Sequence, residues 1–152
     1  MEVALRHDAM LPASVHEAAN ILEFRKHMLA APQTPCKYKH LIHGGMYVRT
    51  IYTPPKQFIA GVKLRVPTVT ITIGSMTIYR EGDNLELKGY NILPGSAGRM
   101  VACMTHTAAI VTMILPTKLD SVIDIQNQSV EEPELLPQIL DPEWHSILVT
   151  GE

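Results

Sequence analysis

The sequence predicts a mainly β protein, a barrel or sandwich preceded by one helix and followed by an acidic arm. The first observation is apolar alternation with a period of two, which is clearest from Thr68 to Ile73, where threonines alternate with branched aliphatic residues. The second is the separation of such runs by glycine and proline turns every ~8–12 residues, which is typical of sandwiches and barrels. The third is composition: with 46% apolar and 18% charged residues among 152, the chain can bury a core without a metal or disulfide.

A helix is predicted for residues 16–30. Ser14 and Glu17 form the pattern Ser-x-x-Glu, a capping box that satisfies free backbone N–H groups at the start of a helix. The residues that follow lack glycine and proline and carry an apolar stripe at helical spacing, and Pro32 prevents continuation of the helix. We therefore assign residues 1–36 to a helical arm and linker, whose stripe packs on a sheet or on a neighbouring subunit.

Residues 37–118 are predicted to form the β barrel. The residues from Pro94 to Gly98 are predicted to be a loop, because Pro-Gly-Ser-Ala-Gly is dense in turn-forming residues. The predicted strands cover residues 47–52, 57–64, 68–73, 76–79, 85–87, 100–104 and 108–115.

Charge is segregated along the chain. Residues 37–118 contain ten Lys and Arg against three Asp and Glu, whereas residues 119–152, the acidic arm, contain eight Asp and Glu and no Lys or Arg. A positive field attracts anions such as phosphates, nucleotides or acidic protein surfaces, but an arm that folds back on its own basic body explains the same pattern. Both interpretations stay open. Three prolines in the arm prevent one long helix, so we expect short helical turns that dock on the barrel or on a second subunit.

The stretch from Lys39 to Pro54 has a histidine-containing entry followed by Gly-Met-Tyr-Val-Arg-Thr-Ile at residues 45–51. It resembles the opening of small cupin-like proteins encoded by bacteriophages, in which a histidine-containing entry precedes Gly-x-Tyr-x-Arg, an aliphatic residue and a proline. The resemblance continues through residues 60–64, the Gly74 turn and residues 92–96. It implies a double-stranded β-helix barrel, usually in a dimer.

The resemblance also implies where a metal would bind, and the residues there do not fit one. In metal-binding cupins a closely spaced histidine pair and a glutamate lie in one segment, and another histidine follows the Pro-Gly turn. The equivalent residues here, 64–70 and 96–99, contain no histidine and no carboxylate. Hydroxyl groups and cations stand in their place, so we expect no metal or other cofactor, and we expect the barrel to receive an anion. The predicted ligand contacts are Arg49, Lys63, Arg65, Thr68, Thr70 and Arg99.

Two pairs of residues with ligand-like spacing leave a non-standard metal site open. His40 and His43, together with Cys103 and His106, have spacings that zinc sites use. On a regular strand, however, residues three apart point to opposite faces, so each pair needs a turn. The alternative is that the histidines are loop or hydrogen-bonded residues and that Cys103 is a buried, inert thiol instead of a nucleophile paired with His106.

Three functions are compatible with these features. The leading hypothesis is a non-catalytic phage cupin-like protein that sequesters a small anionic ligand, such as a nucleotide signal, and thereby counters host defence. The second is a structural or assembly protein of a phage particle or homo-oligomeric complex, and the third is a metal-dependent enzyme using the non-standard site. Catalysis is disfavoured because paired carboxylates and a nucleophile motif are missing from the barrel region. A homo-oligomer is expected.

Membrane and nucleic-acid partners are not expected. No apolar run reaches the ~18 residues of a membrane span, and the few aromatic residues do not form a stacking stripe with the basic ones. The two cysteines, Cys36 and Cys103, are expected to be free thiols in a reducing compartment. We therefore expect the chain in the cytoplasm, that of the host for a viral protein, or in a virion.

Overall fold

Two β sheets and two helices make up the chain in a computed structural model that describes residues 2–6, 10–80 and 83–152. The helices are α1 (Val15–Leu29) and α2 (Val122–Ser129), and a 3₁₀ turn covers Pro133–Leu135. The strands are β1 (Val3–Leu5), β2 (Lys37–His43), β3 (Met46–Thr53), β4 (Phe58–Ala60), β5 (Thr68–Ile73), β6 (Met76–Tyr79), β7 (Asn84–Leu87), β8 (Tyr90–Gly95), β9 (Ala102–Thr105), β10 (Ala109–Pro116) and β11 (His145–Val149).

The larger sheet has seven strands in the order β1-β8-β5-β10-β3-β2-β11, and the smaller sheet has four in the order β4-β9-β6-β7. Neighbouring strands are antiparallel except at the two edges of the larger sheet, where β1 runs parallel to β8 and β11 runs parallel to β2. Both edge strands thus pair with segments far away in the sequence, which a local pattern cannot reveal.

Helix α1 begins where the capping motif predicts. The Ser14 hydroxyl accepts a hydrogen bond from the Glu17 backbone N–H at 3.0 Å, which satisfies one of the free donors of the first turn. The apolar stripe packs on the barrel of the same chain, because Ile21 is buried in a cluster with Met100. No helix among the described residues is both long and apolar enough to cross a membrane.

The predicted strands are confirmed, but the strand predicted for residues 57–64 is shorter than expected. β5 has the predicted bounds, and the strands predicted at residues 47–52, 76–79, 85–87, 100–104 and 108–115 are found within two residues at each end. The strand predicted for residues 57–64 ends early, at Ala60. The Gly61 N–H still donates to the Val101 carbonyl at 2.8 Å, as the next pair of the β4–β9 ladder would, and the chain leaves the strand after this contact.

The loop predicted from Pro94 to Gly98 is partly wrong, because β8 continues through Gly95. Pro94 lies opposite Val69 of β5, whereas β1 stops opposite Ile92. A proline has no N–H to donate, and it is tolerated here because β8 has no β1 partner at that position.

The acidic arm folds onto the barrel of its own chain. Ile125 of α2 is buried in a cluster with Tyr47, and the Lys63 ammonium lies 3.4 Å from the Glu131 carboxylate. The expected helical turns are present as α2 and the 3₁₀ turn. Residues 145–149 correct the prediction, because they form β11 by pairing with the edge of β2.

The two sheets present different side chains to the space between them. On the larger sheet Thr70 and Thr72 are buried, whereas Val69 is 42% exposed. The alternation predicted in β5 is therefore confirmed with threonine facing inward and the aliphatic side chain outward. The smaller sheet contributes mainly apolar side chains to the core, from Met76, Ile78, Leu85 and Leu87. Its Thr105 is also buried opposite Met76, but the Thr105 hydroxyl is paired, because it donates to the Pro54 carbonyl at 2.7 Å.

Candidate functional site

A row of side chains crosses the larger sheet at the level of Arg49. The strand register places His40 of β2 opposite Arg49 of β3, Arg49 opposite Met113 of β10, and Met113 opposite Thr70 of β5. Side chains directly opposite one another on neighbouring strands share a face of the sheet. An imidazole, a guanidinium and a hydroxyl from separate parts of the sequence therefore come to lie in one line.

Arg49 and Arg99 line a cavity of about 110 Å³ between the sheets, which we call the interior cavity. Arg99 follows β8, is 7% exposed, and donates a hydrogen bond from Nε to Thr68 Oγ1 at 3.1 Å. Burial, and then the charge of Arg49, lower the pKa of Arg99 to about 10. Arg99 stays protonated at neutral pH, so the interior cavity has two like charges on its walls.

No acidic side chain balances these charges among the described residues. Neither guanidinium has a salt bridge there, and the described lining of the interior cavity contains no Asp or Glu. The Nε of Arg49 and the hydroxyls of Thr70 and Thr72 are buried without a hydrogen-bond partner. Native proteins pair nearly all such groups. The interior cavity is therefore complementary to an anion that carries acceptor oxygens.

Gly95 gives the Arg99 side chain its space. A Cβ atom at residue 95 would lie 2.6 Å from Arg99 Nε, 2.8 Å from Arg99 Cδ and 2.5 Å from Thr68 Oγ1. Contacts this short do not occur at real Cβ atoms, so a larger residue would displace the guanidinium or the hydroxyl that orients it. Glycine is required here by the close approach of a side chain.

Tyr47, His40 and His145 form a hydrogen-bonded chain beside Arg49, which we call the ring chain. The Tyr47 hydroxyl is 2.7 Å from His40 Nδ1, and His40 Nε2 is 2.9 Å from His145 Nδ1. Tyr38 stacks on His145 with ring centroids 4.5 Å apart and planes 11° apart. Burial, followed by the neighbouring His145 and Arg49, lowers the pKa of His40 to about 4, so this imidazole is neutral at pH 7.

Tyr38, His40 and His145 line a second cavity of about 280 Å³, which we call the ring cavity. Besides His145, the acidic arm contributes Trp144 and Leu136 to the lining. A third cavity of about 70 Å³, the connecting cavity, shares Arg49, Gln126 and Leu136 with the ring cavity, and it shares Arg49 and Arg99 with the interior cavity. Arg49 therefore lines all three cavities.

Four of the six predicted ligand contacts are brought together around the two guanidinium groups, namely Arg49, Thr68, Thr70 and Arg99. Lys63 and Arg65 are not. Both side chains lie at the surface, with that of Lys63 37% exposed and Arg65 exposed. Lys63 pairs with the Glu131 carboxylate, and Arg65 donates to the Glu131 carbonyl at 3.0 Å. Their charges hold the acidic arm.

The four residues of the alternative zinc site do not meet. His40 is committed to the ring chain, His43 is exposed at the end of β2, and His106 Nε2 lies 2.6 Å from Thr77 Oγ1. Burial raises the pKa of the Cys103 thiol to about 11, which suppresses the thiolate. Within residues 2–6, 10–80 and 83–152 no three His, Cys, Asp or Glu side chains lie close enough to share a metal ion.

Sequence reasoning missed the ring cavity. Tyr38 and His145 meet only because β11 pairs in parallel with β2, which places the two residues in register. The one local signal is the run from Trp144 to Val149, where apolar residues accumulate after the last proline of the acidic arm.

Comparisons with known proteins concern the fold. No family model and no curated protein matches the chain. Similar solved structures include a cupin superfamily protein from Desulfitobacterium hafniense, with 12% identity over 58% of this chain and 83% of that one and a TM-score of 0.48. A double-stranded β-helix protein from Klebsiella pneumoniae has 15% identity over 62% of this chain and 83% of that one, with a TM-score of 0.47. The predicted architecture, mainly β with a helix before the sheets, is confirmed by the two sheets and by α1.

Proposed function

We propose that this chain is a non-catalytic binding protein that holds a small, nucleotide-like anion between Arg49 and Arg99. The observation that supports the proposal is that the buried guanidinium of Arg99 and the half-buried guanidinium of Arg49, whose Nε is buried, line one cavity without an acidic partner among the described residues. A buried charge that lacks a partner costs several kcal/mol. Stability alone therefore gives no reason for two unpaired cations in one cavity, and an anionic ligand does.

The donors around the interior cavity suit phosphate or carboxylate oxygens. Guanidinium groups bind such oxygens through short, charge-assisted hydrogen bonds. The unpaired hydroxyls of Thr70 and Thr72 add two further donors on the same wall. The described lining offers no group suited to proton transfer at neutral pH, because arginine stays protonated and Cys103 stays a thiol. This set of groups supports binding without catalysis.

The test is isothermal titration of the full chain with inorganic phosphate and with nucleotides at low salt. We expect binding that weakens as salt is added. Arg99→Met keeps the length of the side chain without its charge, and we expect it to lower affinity on the order of 100-fold, because a charge-assisted contact is lost. Arg65→Met makes the same charge change outside the cavity and serves as the control. No binding of any probe at ~100 μM removes the proposal.

The biological setting in the proposal is supported by the sequence resemblance alone. In a bacteriophage, a protein that sequesters a nucleotide signal would counter host defence without degrading the signal. Mass spectrometry of small molecules released by denaturing the purified protein tests this part separately. Release of intact nucleotide at a fixed ratio to protein supports sequestration, and release of a hydrolysed product contradicts it.

An assembly role is a second candidate, because β11 leaves one edge of the larger sheet unpaired among the described strands. Its Ile147, Leu148 and Val149 side chains are 50%, 61% and 44% exposed. An exposed apolar edge strand pairs readily with a second copy of itself about a two-fold axis. Leu148→Lys should then lower the mass measured by light scattering, whereas Leu5→Lys, on the opposite edge of the sheet, should not. An unchanged mass for Leu148→Lys contradicts this role.

A further inference from the structure

The interior, connecting and ring cavities form a series with Arg49 at their junction. The connecting cavity shares Arg99 with the interior cavity on one side and Gln126 with the ring cavity on the other. A ligand bound to Arg49 and Arg99 can therefore extend through the connecting cavity into the ring cavity. The residues that line the ring cavity indicate which chemical group of the ligand would lie there.

The aromatic side chains that line the ring cavity suit a planar chemical group. Tyr38, His40 and His145 lie with their planes within 17° of one another where they meet, and Trp144 lines the same space. Aromatic faces stack on planar heterocycles whatever their hydrogen-bonding pattern. Leu136 contributes an apolar surface from the acidic arm.

The ring chain also adapts to the polar edge of a heterocycle. With both imidazoles neutral, Tyr47 donates to His40 Nδ1 and His40 Nε2 donates to His145 Nδ1, which leaves His145 Nε2 as a donor. In the reverse arrangement His145 Nδ1 donates to His40 Nε2, His40 Nδ1 donates to Tyr47, and His145 Nε2 becomes an acceptor. The distances of 2.7 and 2.9 Å suit either direction.

We infer that the ring cavity is the base subsite of a nucleotide whose sugar lies in the connecting cavity and whose phosphate lies between Arg49 and Arg99. The order of the compartments supports this, because a flat aromatic space of about 280 Å³, a small space of about 70 Å³ with the Ser129 hydroxyl in its lining, and a doubly cationic space of about 110 Å³ follow one another. A nucleotide has the same order of chemistry along its length. The inference rests on the proposed anion site and adds the class of ligand and its orientation.

The first test compares ligands on the unaltered protein. AMP should bind about tenfold or more tightly than ribose 5-phosphate, because stacking of one base is added. Trp144 is the one tryptophan of the chain, so its fluorescence reports on the ring cavity directly. AMP should change that fluorescence at saturation and ribose 5-phosphate should not.

The second test uses variants. Tyr38→Leu and Trp144→Leu remove flat rings but keep apolar volume, and they should bring the AMP affinity down to that of ribose 5-phosphate, whose own affinity stays within about twofold. Tyr52→Leu, on the exposed face of β3, is the matched control. Equal affinities for AMP and ribose 5-phosphate with no fluorescence change overturn the inference and leave the anion site standing. Failure of every phosphate probe to bind overturns the anion site and the inference with it.

Discussion

The inner faces of the two sheets differ in their side chains, because unpaired polar groups lie on the larger sheet and the smaller sheet is mainly apolar. The smaller sheet packs Met76, Ile78, Leu85 and Leu87 into a continuous apolar cluster. The larger sheet faces them with His40, Arg49, Thr70 and Thr72, several of which have unpaired polar atoms. Burial of apolar surface stabilises a fold, whereas unpaired polar groups cost free energy. Apolar clusters on both sheets supply stability, because Leu93 and Ala109 of the larger sheet join the same cluster and Tyr47, Met113 and Leu115 belong to another. The comparison indicates that the unpaired polar groups of the two inner faces lie on the larger sheet and that this apolar burial offsets their cost.

The largest expected effect is on the stabilising side of this comparison. Leu87→Ala removes most of a side chain that is 1% exposed, so the free energy of unfolding should fall by about 3 kcal/mol through lost burial and a new cavity. Urea unfolding followed by circular dichroism measures it. The affinity of the folded fraction for phosphate should change less than about twofold, because Leu87 does not line the interior cavity. A loss below ~1 kcal/mol contradicts the assignment of this cluster as the core.

The second effect is a pH dependence that comes from the larger sheet. The pKa of His40 is lowered to about 4 and that of His145 is also lowered, first by burial, so between pH ~4 and ~6.5 the unfolded chain binds more protons than the folded one. Stability is therefore full above the unfolded pKa and is lost as the pH falls towards 4. The lowered pKa of His40 alone should reduce the free energy of unfolding at pH 5 by about 2 kcal/mol relative to neutral pH. Unfolding of the chain and of His40→Gln at pH 5 and 7.5 checks this, and an equal pH dependence in both contradicts it.

The third effect concerns the space that Gly95 leaves for Arg99. Gly95→Ala should lower phosphate affinity about tenfold, because a Cβ atom 2.6 Å from Arg99 Nε forces the guanidinium out of line. Gly151→Ala is the control, since no atom lies within 4 Å of its added Cβ. Titration calorimetry on both variants measures the difference. Full affinity in Gly95→Ala would show that Arg99 does not need its present position.

The smallest effect separates paired from unpaired hydroxyls. Thr70→Val removes a buried hydroxyl without a partner and should raise the free energy of unfolding by ~1 kcal/mol while weakening phosphate binding. Thr112→Val removes a hydroxyl that lies 2.8 Å from that of Thr50 and should lower stability by ~1 kcal/mol. Thermal unfolding of the two variants without ligand gives the sign. Destabilisation by Thr70→Val would mean that its hydroxyl is satisfied.

The sequence predicted what depends on neighbours and missed what depends on distant pairing. The Ser14 cap and the alternation of β5 are local, and both are found. No strand was predicted at the position of β8, where Pro94 and Gly95 signal a turn, and the tolerance of proline next to a strand end is visible only in three dimensions. β2 was not predicted either, although Gly44 and Gly45 join it directly to β3. β11 was missed because its partner, β2, lies more than a hundred residues away.

The same division applies to the site. Arg49, Thr68, Thr70 and Arg99 were selected because the resemblance points to their segments and because their side chains are cations or hydroxyls, and these four lie close together in the structure. Lys63 and Arg65 share the charge but lie at the surface, which only the fold shows. The ring cavity depends on the parallel pairing of β11 with β2, and no local sequence pattern predicts that pairing. Its assignment as a base subsite stays a prediction.

That parallel pairing has a consequence during synthesis on the ribosome. Arg49, Thr70, Arg99 and the described strands other than β11 are translated before His145, so an emerging chain can complete both sheets except for the β11 edge. The part of the ring cavity lining that the acidic arm contributes arrives later, with Leu136 and Trp144. Under the proposed function, a prematurely terminated product would fold its barrel and fail to retain the ligand, so ligand retention would report on full-length translation.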